Sequence, residues 1–192
     1  DIMSAVVIGG GFIGLEAAEN LWSLGIHITL VDAADQVLPQ FDRDMAGFVH
    51  SHLKENGFDL RLNRTVSGFE RVEEGIIVNL DNGDVIETDM VLMAIGITPE
   101  SGLAKAAGLE LGGRGAIKVN RHMQTSHPDI YAVGDAVEIK SFVTGKRTSV
   151  PLAGPANKQG RIAADNIAGY DSRYKGASGT SIIKIYDLTA AS

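Results

Sequence analysis

The 192-residue chain contains no cysteine, which excludes disulfides, thiolate metal sites and cysteine nucleophiles within it. Long apolar runs are missing too. The longest, Val91 to Ile97, is interrupted by a glycine and falls far short of the ~20 residues that cross a bilayer. Positive charge is in the minority: 17 Lys and Arg face 24 Asp and Glu, for a net charge of −7. Such a balance argues against a surface that condenses on phosphate backbones or anionic lipid, so no nucleic acid and no membrane partner is expected. Residues 1–10 lack a basic n-region and run straight into a strand pattern, so no signal peptide is expected and the expected location is cytoplasmic.

What is present suits a folded chain. At 44% apolar residues it can build the core of one ordinary domain or two small ones. Glycine is over-represented, 23 of 192 residues or about 12%, against a typical ~7%. The glycines stand at the ends of apolar runs without a period, as they do where strands turn into helices. The expected class is therefore α/β.

Residues 4–9, SAVVIG, form a β-branched run that is apolar on both faces, the signature of a central parallel strand. From Gly14 the positions Ala17, Ala18 and Leu21 have helical spacing, Gly25 stands at the C-cap, and a strand at 26–31 completes a βαβ unit. A second helix is predicted over 43–55 with Met45, Phe48, Val49 and Leu53 on one face. Residues 65–80 read as extended, and Asn82-Gly83 predicts a type I′ hairpin that places an antiparallel ribbon beside the parallel sheet. Strands are predicted at 89–96, 116–119 and 130–133, a short helix at 103–107, and a last helix from about Ala156 to Ala168. Residues 171–180 read as a linker, and 181–188 as a strand with no partner in sequence.

Gly9, Gly11 and Gly14 make G-x-G-x-x-G where the first strand meets the first helix. The first glycine permits a tight turn, the second lets a pyrophosphate approach the backbone, and the third lets helix and strand pack closely. The helix N-terminus offers free N–H groups to the phosphates. Asp32, at the end of the second strand, stands where an acid accepts hydrogen bonds from the adenosine ribose. A 2′-phosphate there would be repelled by about 4 kcal/mol for one charge pair at ~4 Å in an effective dielectric of ~20. No arginine lies between Ala33 and Val37 to offset this, so the expected dinucleotide is NAD(H) and not NADP(H). Other signals fail. Lys140 stands where a P-loop needs its first glycine, His50 and His52 are two apart and read as solvated surface, and no metal site is expected.

The strings VVIGGGFIGLEAAENL, LVDAADQVLP, VLMAIGITPE, TSHPDIYAVGDAVE and PLAGPANKQGRIAADNI resemble the pyridine nucleotide-disulfide oxidoreductase family over essentially the whole chain. The greatest likeness is to coenzyme A-disulfide reductases and NADH oxidases or peroxidases. The resemblance implies an NAD(H)-binding domain at 1–97, the C-terminal part of a split FAD-binding domain at 98–170, and at 171–192 the start of the interface domain of a homodimer. It further implies that the family's first half, with its redox cysteine and the fingerprint for the ADP part of FAD, is not among these residues. No catalytic side chain is then expected in this chain. Phe12, Ile13, Glu16, Phe41, Ile95 and Gly96 join the glycines and Asp32 as implied NAD(H) contacts, with Phe41 equally readable as a hydrophobic staple. Asp135 is the implied partner of the FAD ribityl chain, and Pro151, Leu152 and Ala153 lead into a helix N-terminus at the flavin pyrimidine edge. Hydride from NADH would reduce flavin, and electrons would pass to a disulfide, a peroxide or oxygen. Two other readings stay open: a non-catalytic NAD(H)-binding or redox-sensing module, and a cysteine-free flavin reductase of the same architecture.

Overall fold

The computed structural model describes residues 2–192; Asp1, the first residue of the expected NAD(H) domain, lies outside them. The described residues divide into two units, one of residues up to Gly96 together with Ser181–Ser192, the other Ile97–Thr180. The segment from 171 onward, read above as one tail, is thus shared between them.

The first unit is built on β1 (Ser4–Ile8), α1 (Phe12–Ser23), β2 (His27–Asp32), α2 (Arg43–Glu55) and β3 (Asp59–Leu62). A ribbon of β4 (Val66–Val72), β5 (Gly75–Leu80) and β6 (Val85–Thr88) follows, then β7 (Met90–Met93). One sheet has the order β3-β2-β1-β7 with all neighbours parallel; the other is β4-β5-β6, antiparallel. Alternation along β1 explains its unbroken apolar sequence. Ala5 and Val7 pack with Leu15, Ala18, Ile28 and Leu30 on the helix side, while Val6 and Ile8 pack with Val31, Val78 and Leu80 on the ribbon side. Burying a side chain of the size of Leu30 or Ile28 contributes about 1.5–3 kcal/mol, so covering both faces of the sheet dominates the stability of this unit. Asp89 ties the entrance of β7 to that of β1 by accepting from the amides of Met3 (2.8 Å) and Ser4 (2.9 Å). Those amides, with the Ser4 hydroxyl, hold its carboxyl below the usual range.

Several sequence expectations are corrected here. Met45 and Phe48 of α2 are exposed, and Ala46 takes the buried position beside Val49 and Leu53. The strip predicted over 65–80 is two strands, with the chain reversing at Glu73-Glu74 and Gly75 taking φ +112°. Of the Asn82-Gly83 pair only Gly83 has positive φ, so the turn is not type I′.

The last strand does have a partner. β11 (Ile182–Ile185) pairs antiparallel with β12 (Leu188–Ala191), and Ile183 and Ile185 enter the helix-side core of the first unit. At the hairpin turn Tyr186 adopts φ +56° and its amide donates to Glu19 Oε1 at 2.8 Å. Its ring meets Trp22, His52 and Phe58 edge-on, at centroid distances of 4.6, 5.7 and 6.0 Å. The phenol oxygen is buried and has no hydrogen-bond partner among the described residues. Burial, then the charge of Glu19, pushes its pKa up. Tyr186→Phe should therefore leave stability unchanged or raise it by up to about 1 kcal/mol, because the hydroxyl loses water and gains nothing. Denaturant unfolding followed by fluorescence of Trp22, the single tryptophan, measures this; a loss of more than 1 kcal/mol would show that the hydroxyl has a partner.

The second unit holds α3 (Gly102–Ala106), β8 (Ile117–Lys118), β9 (Val137–Lys140), β10 (Arg147–Thr148) and α4 (Ala153–Ile167). β8 and β9 are parallel, and β9 and β10 antiparallel. Residues 130–133 are not a strand. They fold back on 123–125, with Thr125 N–H to Ile130 O at 2.9 Å and Ala132 N–H to Met123 O at 3.1 Å. The Gly- and Ser-rich segment 171–180 is anchored rather than loose. Tyr174 is buried with Met123 and Ile139, its amide donates to Arg121 O at 2.7 Å, and Gly176, at φ +102°, lies where a Cβ would collide with Lys140 O. The last helix starts at Ala153 rather than Ala156. Pro155 sits in its first turn, where a missing N–H costs no helical hydrogen bond.

Candidate functional site

The loop between β1 and α1 gives each glycine a distinct environment. Gly9 takes φ +107°, and a Cβ there would run into the carbonyl of Ala94 just beyond β7. A Cβ on Gly14 would overlap the carbonyl oxygen of Gly9, so helix and loop meet at a distance only glycine permits. Gly11 differs: it has φ −79°, and nothing stands within 4 Å of its would-be Cβ. It caps α1 without a side-chain acceptor, so the first-turn amides of α1 have no side-chain cap.

Asp32 is fastened to that loop. Its Oδ2 accepts from Gly10 N–H at 2.5 Å and its Oδ1 from Ala34 N–H at 2.8 Å. Gly10, the unnamed position inside the motif, has its own requirement, since a Cβ would press on Val37 Cγ1 at 2.8 Å and on Asp32 Oδ2 at 3.2 Å. The chain beyond Asp32 is held by Leu38 N–H to Gly10 O at 2.9 Å and by Val37 N–H to His50 Nε2 at 3.1 Å. His50 is therefore no solvated surface histidine. Burial, then the charge of Lys54, lowers its pKa, which favours the neutral ring that can accept this bond.

At the C-terminal ends of β1, β2 and β7 these parts enclose a cleft of about 460 Å³. Gly9, Gly11, Asp32, Ile95 and Gly96 line it together, as do Ala33, Pro39, Arg64, Thr65 and Phe69. The volume falls in the range of small-ligand sites, and its place matches the crevice at strand ends where parallel sheets take ligands. Phe12, Ile13 and Glu16 occupy the first turns of α1 outside this lining, with Phe12 packed on the core and Ile13 and Glu16 exposed. Phe41 is 7% exposed and packs in the core with Leu38, Val49 and Leu53. Arg64, Thr65 and Phe69 were invisible in the sequence because they follow β3, a four-residue strand too short to announce itself.

In the second unit, Asp135 lies exposed in a 3₁₀ turn, Gly134–Ala136. The amide of Gly134 donates to Oε1 of the buried Gln159 at 2.7 Å, which bolts this turn to α4. Pro151 and Leu152 lead into α4, whose N-terminus at Ala153 has no side-chain cap. The turn of Asp135 and the first turns of α4 are thus neighbours. Another cavity of this unit, about 330 Å³ beside Met123 and Tyr174, contains none of the predicted residues. Among the described residues no group of three or more His, Asp and Glu could hold a metal, and no helix is long and apolar enough to cross a membrane.

Comparison with known proteins bears on this arrangement. The profile of the family described as pyridine nucleotide-disulphide oxidoreductase matches residues 3–160. NADH oxidase of Methanocaldococcus jannaschii is 41% identical over 95% of this chain and 40% of its own length. The chain therefore spans about two fifths of the curated relatives it matches. Reduced CoADR-RHD of Bacillus anthracis superposes with a TM-score of 0.95 at 53% identity, covering 99% of this chain and 34% of that one. An engineered water-forming NADPH oxidase bound to NADPH, a mutant of LbNOX, superposes with a TM-score of 0.95 at 29% identity, over 100% of this chain and 42% of its own.

Proposed function

The chain belongs to the pyridine nucleotide-disulphide oxidoreductase family, and from that premise we propose that its first unit binds NAD(H) in the glycine-turn cleft and serves an FAD-dependent oxidoreductase fed by NADH. The open face of Gly11 carries this reading. A glycine whose would-be Cβ meets nothing, on a cleft wall and beside a helix N-terminus without a side-chain cap, makes sense where a pyrophosphate must approach the backbone. Asp32, steadied by two amides, keeps further lone pairs for the ribose hydroxyls. Ile95 and Gly96 border the same cleft and suit the nicotinamide end.

The engineered NADPH oxidase supports the assignment. Its substitutions include an Asp, the Ala directly after it and a Pro seven positions beyond the Asp, the latter two replaced by Arg. The same residue types at the same spacing here are Asp32, Ala33 and Pro39, and all three line the cleft.

When bound, the dinucleotide would supply a hydride and FAD would accept it. The chain's own residues bind and orient: the amides at the start of α1 face phosphate, Asp32 faces ribose, and Asp135 with the amides of Ala153 and Gly154 would hold part of the flavin. The final acceptor, in this proposal, is a small-molecule disulfide, a peroxide or oxygen, and the working assembly is a homodimer. Isothermal titration of the chain with NADH tests the binding step: saturable heat at one NADH per chain is expected, and none would overturn the proposal.

A further inference from the structure

We propose that the cavity of about 330 Å³ beside Met123 and Tyr174 is an anion site of its own, separate from the glycine-turn cleft. It takes a small phosphate ester, whose phosphoryl group meets a ring of Arg121, Lys140, Arg147 and Lys175. The net charge of −7 conceals an uneven distribution. Residues 97–180 hold 11 Lys and Arg against 7 Asp and Glu, while the rest of the chain holds 6 against 17. Four of those 11 cations line this one cavity, and among the described residues no acid lines it.

The fold assembles the ring from three separate stretches of chain. β10 runs antiparallel to β9 with Arg147 directly opposite Lys140. Like charges so placed destabilise a strand pair, and an anion between them removes that cost. Residues 174–177 run along the other side of Lys140: Gly176 packs against Lys140 O, and Phe142 N–H donates to Ala177 O at 2.9 Å. The start of the same segment is bound to Arg121, whose carbonyl accepts from Tyr174 N–H at 2.7 Å. The backbone of Lys175 is thereby fixed between Arg121 and Lys140. The guanidinium of Arg147 closes the ring, its Nη1 donating to Val119 O at 3.1 Å and to Glu138 O at 3.3 Å.

Little of this charge is neutralised by the protein. Arg147 Nε stands 3.8 Å from Glu138 Oε1, beyond hydrogen-bond reach, and Glu138 Oε2 already accepts from Gly113 N–H at 2.8 Å. Among the described residues Arg121, Lys140 and Lys175 have no carboxylate within 4.0 Å, whereas Lys118 and Arg173 of the same unit are paired with Glu110 and Asp171. All four cations of the ring are exposed, and the rest of the lining includes the buried side chains of Val119, Met123, Ile139 and Tyr174. A hollow with one sign of charge and low-dielectric walls focuses its field on what enters it. Lys and Arg suit phosphoryl oxygens, and the apolar wall suits the organic part of an ester. The volume, at the lower end of small-ligand sites, fits a small molecule rather than a macromolecule.

Titration of the isotope-labelled chain with inorganic phosphate and with phenyl phosphate, followed by its amide NMR spectrum, tests this. Both probes should shift the amides of Arg121, Tyr174, Lys175 and Gly176 in a saturable way, which separates this site from the glycine turn at Gly9 to Gly14. Phenyl phosphate should bind about threefold or more tighter than inorganic phosphate, because its ring buries apolar area, and both affinities should fall with added salt. Lys140→Gln/Lys175→Gln should weaken both probes by about tenfold or more. Lys105→Gln/Lys158→Gln, which removes the same charge elsewhere in the unit, should weaken them by less than about twofold. All four substituted residues are exposed, and the spectrum itself reports whether each variant is folded. Equal losses in the two double variants would mean that the overall charge of the unit attracts anions, and would overturn the proposal. So would shifts confined to the glycine turn, shifts that do not saturate at millimolar probe, or phenyl phosphate binding no tighter than phosphate. Tighter binding of a short single-stranded RNA at the same amides would overturn it too, since the occupant would then be a nucleic acid.

Discussion

Gly11→Ala will leave the unfolding of the first unit almost unchanged and weaken NADH binding by about 10- to 100-fold, whereas Gly9→Ala will do the reverse in kind, lowering stability before affinity can be measured. The two glycines stand two residues apart, yet their surroundings are opposite. At Gly11 the backbone has an ordinary φ of −79°, so a methyl group causes no strain and meets no protein atom. It enters the cleft instead, where it would hold a pyrophosphate away from the amides of α1. At Gly9 the backbone sits at φ +107° and the methyl group would strike the carbonyl of Ala94. Positive φ on alanine costs about 1–3 kcal/mol, and displacing packed backbone costs a similar amount again. A sum of about 2–6 kcal/mol is a large part of the ~5–15 kcal/mol that holds an ordinary domain together. Trp22 fluorescence during urea unfolding and NADH titration on both variants give the comparison. Parallel behaviour of the two, with both unfolded or both unaffected in binding, would mean that the loop does not divide its work this way.

Asp32→Asn should hurt both stability and selectivity. In the native loop both carboxylate oxygens accept from backbone amides, Gly10 N–H on one side and Ala34 N–H on the other. An asparagine has one oxygen to offer, so its amide group must point at one of these donors. One N–H is left without an acceptor in a half-buried place, at a cost of about 1–3 kcal/mol. The ribose hydroxyls lose a charged acceptor as well, and NADH affinity should fall by about tenfold or more. Selectivity then moves toward NADPH, because the charge that repels a 2′-phosphate is gone. Calorimetry with both nucleotides and an unfolding curve check this. A variant as stable as the wild type, with the same ratio of NADH to NADPH affinity, would show that Asp32 neither holds the loop nor faces the ribose.

The elements from β1 to α2 could be read closely because their cause is local. A β-branched run, a helical spacing that ends in Gly25 at φ +84°, and a helix closed by Asn56 and Gly57 are all written within a dozen residues. Elements whose cause is distant were misread. Met45 and Phe48 have the right spacing for a buried face, but which residues of α2 are covered depends on what packs against it, and Ala46 took the place. Residues 171–180 look like a linker by composition. Their glycines serve close approach instead, as Gly176 does against Lys140 O, and Tyr174 is buried among residues from other parts of the second unit.

At the site the same division holds. The sequence alone determined that a glycine turn joins the first strand to a helix and that an acid ends the second strand, because both are consequences of backbone sterics and strand length. It also carried enough of its family's motifs for membership to be recognised. Only the tertiary structure decided that Gly10 makes room for Asp32, that Phe41 faces the core, that His50 steadies Val37, and that Arg64 stands beside the acid. These neighbours come from β3, α2 and the turn at Asn63, and their meeting depends on strand order and register. Order and register are set by burying both faces of β1 at once, a condition that involves residues far apart in the chain and that no short stretch of it contains.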